Sequence, residues 1–78
     1  MALFPMFVEL SGQNVLVIGG GNVALRKCEK LLEYGAEVTA VAGQFSPQFI
    51  SLKGVKLLFR PFDDGDVAGR GMVIAATD

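Results

Sequence analysis

The chain has 78 residues, a hydrophobic share of 51%, an aromatic share of 9% and a net charge of -1. One domain is the upper bound, and a chain this short buries only about 60–65% of its unfolded surface, so its stability is marginal. The apolar share argues against disorder, and seven basic against eight acidic residues give no electrostatic reason to expect nucleic acid or an anionic membrane as partner.

The opening MALFPMFVEL has no basic region and is interrupted by Pro5, which makes it a poor signal peptide. Within it, residues 6–10 read as an extended arm or edge strand, closed by the turn signal Ser11-Gly12. No apolar stretch approaches the roughly 18–20 residues that a membrane helix needs. Cys28 is the single cysteine and suits a reducing compartment. A soluble cytoplasmic protein without a membrane partner is the expectation.

Residues 15–18 form a β-branched and leucine run without polar alternation, the pattern of a strand buried on both faces of a parallel sheet. From 22 to 34 the period becomes helical. Ala24, Cys28, Leu31, Leu32 and Gly35 share one face, and Arg26, Lys27, Glu29, Lys30 and Glu33 mostly occupy the other. Gly35 stands where a C′ residue ends a helix. Residues 37–43 read as a second buried strand. Ser46-Pro47 fits an N-cap followed by proline at N1, opening a short helix through about residue 52. Residues 55–60 read as a third strand, 63–68 as one helical turn within a crossover, and 72–76 as a fourth strand.

This is an α/β pattern. Right-handed crossovers predict a Rossmann-like parallel sheet of strand order 3-2-1-4, so residues 1–78 read as one nucleotide-binding domain. The pattern breaks off after the fourth strand, with no following helix, and so reads as truncated.

Gly19, Gly21 and Ala24 satisfy G-x-G-x-x-A between a buried strand and an amphipathic helix. The first glycine permits the tight turn, the second admits a pyrophosphate to the backbone, and the alanine lets the helix lie close to the strand. The helix N–H groups and the positive end of its dipole then face the phosphates. The ribose-binding acid of such sites belongs about 20 residues further on. There the chain has Ala42-Gly43-Gln44, with neither acid nor arginine, and Glu37 is at the wrong end of the strand. Gln44 or the backbone of Gly43 can bond the ribose hydroxyls, but these residues select neither NAD nor NADP. Thr77 ends a strand at the edge where ligands bind. Asp63, Asp64 and Asp66 read as a solvated turn, since they lack the remaining ligands of a calcium loop. The chain has no histidine, so no histidine metal site exists within it.

FPMFVELSGQNVLVIGGGNVALRKCEKLLEYGAEVTAVA, then FSPQF, FRPF and VIAATD, closely resembles the start of precorrin-2 dehydrogenases, the NAD-dependent module of siroheme synthases. The resemblance runs from Phe4 to Asp78. It implies NAD as cofactor, precorrin-2 (a tetrapyrrole) as substrate, sirohydrochlorin as product, and a homodimer when full length. Carried over by position, it puts cofactor contacts on Asn22 and Val23 and on Gly43 and Gln44. The family also lacks a dependable acid after the second strand. Its catalytic aspartate lies in a later segment, so no catalytic residue is assigned within this chain, Asp78 included. A non-catalytic nucleotide-sensing module of similar fold is the alternative, although such sensors usually place an acid after the second strand.

Overall fold

The computed structural model describes residues 11–76, so the expected arm at 6–10 and Thr77 lie outside the described residues. Within them run β1 (Asn14–Ile18), α1 (Asn22–Glu33), β2 (Glu37–Ala42), α2 (Pro47–Ser51), β3 (Val55–Phe59), a 3-10 turn (Asp64–Val67) and β4 (Met72–Ala75). The strands form one parallel sheet in the order β3-β2-β1-β4, as right-handed crossovers require. The second, third and fourth strands each stop one residue short of the expected range. Gly43, Arg60 and Ala76 fall just past the ladder.

β1 is central, and that explains its composition. Val15, Leu16 and Val17 are each 0% exposed because neighbours pair on both edges and side chains cover both faces. Val15 and Val17 join the face carrying α1 and α2. There they meet Ala24, Cys28 and Leu31 of α1, Val38 and Ala40 of β2, and Phe49 of α2. Removing those apolar surfaces from water is the main stabilising contribution, at about 25 cal/mol per Å².

The helix ends follow from local chemistry. After α1, Gly35 adopts φ 81°, a left-handed conformation that costs glycine little. Its N–H donates to the Leu32 carbonyl at 3.0 Å and the Ala36 N–H to that of Leu31 at 3.1 Å, the double closure of a Schellman motif. At the start of α2, Ser46 Oγ accepts from the Phe49 N–H at 3.3 Å, with Pro47 in the first turn. Cys28 is fully buried beneath α1. Burial, reinforced by the charge of Glu29, pushes its thiol up to about 12, so it is a packed protonated group and a poor nucleophile.

The crossover from β3 to β4 has only a 3-10 turn of regular structure and is fastened by charged side chains. Arg60 forks onto Asp66: Nη1 donates to Oδ2 at 2.8 Å and Nη2 closes a second bond to Oδ1. The Asp63 N–H also donates to Asp66 Oδ2 at 2.8 Å. The three-aspartate turn is therefore organised around an arginine, and among the described residues no group of acidic, histidine or cysteine side chains is arranged to hold a metal ion. Downstream, Arg70 Nη1 donates to Asn14 Oδ1 at 2.7 Å and Thr39 Oγ1 at 3.3 Å, and its Nε donates to the Asp66 carbonyl at 3.2 Å.

Two measurements check this account. Replacing Phe49, the largest fully buried side chain, by alanine should cost about 3–5 kcal/mol in chemical denaturation. The bonds from Arg60 and from the Asp63 amide hold the Asp66 carboxyl down at about 2. Because its folded value lies below the unfolded one, its stabilisation is complete above the ordinary carboxylate range and fades as pH falls through about 2. Carboxyl-carbon NMR should show a midpoint near 2 in the native protein, moving up toward ~3.9 in Arg60→Ala.

Candidate dinucleotide-binding site

At the carboxyl edge of the sheet, the turn after β1 and the loop after β2 come into direct backbone contact. Gly19 leaves the strand at φ 141°. A Cβ there would overlap the Ala76 carbonyl oxygen and crowd Ala24 Cβ at 3.2 Å. Its N–H donates to the Val41 carbonyl at 3.0 Å, while the Ala76 N–H donates to that of Ile18 at 2.9 Å. Gly19 and Ala24 are thus the packing elements of the motif, letting α1 settle on the strand ends. Ala24 is 0% exposed and lies beneath the site, where the notion of a direct cofactor contact gives way to support.

Gly20 is the tightest position. A side chain there would run into the backbone carbonyl of Gln44, with Ala42 Cβ also at 3.1 Å. The Gly20 carbonyl in turn accepts from the Ser46 N–H at 2.9 Å. The motif treats residue 20 as a free position, so sequence reasoning missed it. The available signal was the run of three glycines where two suffice.

Beside this contact opens a cleft of about 410 Å³, lined by Gly20, Gly21, Gln44, Phe45, Ser46 and Pro47. Gly21 is the N-cap of α1 in extended conformation, no side chain caps the first turn, and no acidic residue stands in it. The leading amides of α1 and its dipole are therefore unopposed by local negative charge, which suits an anionic group. The residues present fit a pyrophosphate at this turn.

The expected contacts do not all converge. Gly21 and Gln44 line the cleft. Asn22 opens α1 and is exposed beside it. Gly43 is exposed, with nothing near the position of a Cβ. Val23 is exposed and borders a separate shallow groove of about 390 Å³ with Arg26, Lys27 and Lys30, while its backbone N–H lies in the first turn of α1. The Gln44 carbonyl abuts Gly20, which leaves its side-chain amide as the group able to reach a ribose. Phe45, Ser46 and Pro47 are further lining residues; in the sequence, Ser46-Pro47 read only as a helix start. Glu37 pairs with Asn14 at the opposite end of the sheet. There a polar cleft of about 460 Å³ also borders Thr39, Lys56 and Arg70, but the Arg70 guanidinium is already spent on Asn14, Thr39 and Asp66.

A family model described as "Putative NAD(P)-binding" matches residues 6–78. The chain belongs to that NAD(P)-binding family. A nicotinamide adenine dinucleotide is accordingly its class of cofactor. Over the whole chain it is 43% identical to siroheme synthase 2 of Aeromonas salmonicida, 43% to the siroheme synthase of Pseudoalteromonas translucida and 44% to that of Thioalkalivibrio sulfidiphilus. It spans only 16–17% of those relatives' lengths. Among solved structures, SirC, a precorrin-2 dehydrogenase, superposes with a TM-score of 0.88 at 25% identity, over 97% of this chain and 40% of that one. Among the described residues of the NAD(P)-binding chain, no helix is long and apolar enough to cross a membrane.

The glycines give opposite expectations for one added methyl group. Gly20→Ala should part the two loops, costing about 1–3 kcal/mol in denaturant titrations and weakening dinucleotide binding more than about tenfold. Gly43→Ala, with open space around it, should stay within about 0.5 kcal/mol of the parent in the same titrations.

Proposed function

We propose that this chain is the NAD+-binding part of a precorrin-2 dehydrogenase, which oxidises precorrin-2 to sirohydrochlorin in siroheme synthesis. The observation that carries the reading is likeness over the whole chain to siroheme synthases and to a precorrin-2 dehydrogenase, joined to a glycine cleft whose uncapped helix terminus suits a pyrophosphate. When bound, the dinucleotide supplies the hydride acceptor.

What this chain's own residues do is bind and orient. The Gly20–Gln44 contact fixes the floor of the turn, and the amides of Asn22 and Val23 receive the phosphates. Gly43 and the Gln44 side chain receive the adenosine ribose. No acid stands at the end of β2 to repel a 2′-phosphate, so the residues at the ribose do not themselves select between NAD+ and NADP+, and the assignment of NAD+ follows from the likeness to a precorrin-2 dehydrogenase. With β1 at the switch point of the strand order, the adenosine half runs toward β2 and β3 and the nicotinamide half toward β4. Thr77, two residues past the end of β4 in the sequence and outside the described residues, is assigned to that half. The tetrapyrrole is met by parts of the protein beyond this chain, which contributes no catalytic side chain, and the working unit is a homodimer.

The intact protein should convert precorrin-2 to sirohydrochlorin only when NAD+ is supplied, followed by the product's absorbance. NAD+ at about 100 times its Kd should stabilise it by about 2.7 kcal/mol, read as a raised thermal midpoint. Binding of NAD+ without turnover would instead favour a nucleotide-sensing module, and absence of binding would refute both.

A further inference from the structure

We propose that Phe59 is the stacking platform for the adenine ring of the bound dinucleotide. This rests on the preceding reading of the cleft as a nucleotide site and assigns the part of it that reads the base.

Phe59 is the last residue of β3, and its Cα partner in the ladder is Ala42, the last residue of β2. Gly43 and Gln44, where the ribose is placed, follow directly. A base joined to that ribose and directed away from β1 reaches the neighbouring strand end, one spacing of about 4.8 Å across. Phe59 occupies that end with 60% of its surface exposed.

The ring is also held in place. Phe45, which lines the cleft, meets Phe59 edge-on at 4.9 Å between centroids and 74° between planes. Phe45 is fixed in the same manner on Phe49 at 4.9 Å and 70°. Exposure climbs along this row from 0% at Phe49 through 8% at Phe45 to 60% at Phe59. The row runs from the core, past the cleft wall, to an open aromatic face. A ring has two faces, and with 60% of its surface exposed Phe59 keeps aromatic surface on which a flat base can stack with little regard to its hydrogen-bonding pattern. Among the described residues, Phe62 is less exposed at 38%, and Tyr34, at 58%, lies beside Lys30 at the far end of α1, without such continuity with the cleft.

The test is calorimetric titration of the intact protein with ADP-ribose, NAD+ and nicotinamide mononucleotide. Phe59→Ala should weaken ADP-ribose and NAD+ by the same factor, about tenfold. Nicotinamide mononucleotide, which lacks the purine, should bind as before. Phe59→Trp should match or exceed the parent for both adenine ligands. If Phe59→Ala does not fold, Phe59→Leu keeps the apolar bulk without the aromatic face and should show the same selective loss. Unchanged ADP-ribose affinity in these variants, with NAD+ still bound by the parent, overturns the platform and leaves the cofactor reading standing. A lowered midpoint of the ligand-free variant with unchanged affinity also overturns it, because Phe59 would then pack against another part of the protein. If the parent binds neither ADP-ribose nor NAD+, both readings fall together.

Discussion

Everything at the carboxyl edge depends on how closely two stretches of backbone approach. Gly20 presses its α-carbon against the Gln44 carbonyl and accepts the Ser46 amide. That contact draws the turn after β1 and the loop after β2 together into one wall. The cleft, the start of α2 and the seating of Phe45 all inherit their positions from it. Steric exclusion rather than flexibility is what requires glycine at this point.

Sheet order, helix faces and both helix starts were legible in the sequence because each is governed by a local rule. The unbroken Val15–Ile18 run announced a central strand. The 3.6-residue spacing of Ala24, Cys28 and Leu31 announced the face that β1 and β2 cover. The cleft was legible only in part. Gly21 and Gln44 emerged from spacing and resemblance, whereas Gly20 and Phe45 depend on which loop meets which, a relation between residues more than twenty positions apart. Val23, expected at the cofactor, borders a neighbouring groove with Arg26 and Lys30.

The electrostatic arrangement is economical. The first turn of α1 has no acidic residue and no side-chain cap, and its one basic residue in the last turn, Lys30, stands at the negative end of the dipole beside Glu33. The ionic fork between Arg60 and Asp66 works in the crossover, on the way from β3 to β4. The uncapped helix start and the charge pairing in the crossover are therefore separate parts of the molecule.

That crossover also governs the order in which the sheet can assemble. β1, α1 and β2 are joined by short connections and can associate early. β4 reaches β1 only after a chain excursion whose closing bond, Arg70 to Asn14, spans 56 residues, and closing so long a loop carries an entropic cost before any contact repays it. Until then β1, whose Val15, Leu16 and Val17 are fully buried in the finished sheet, has an open edge, the kind of surface on which chains aggregate. The guanidinium of Arg70, reaching Asn14 on β1 and Thr39 on β2 at once, is placed to end that exposure by tying the incoming strand to both.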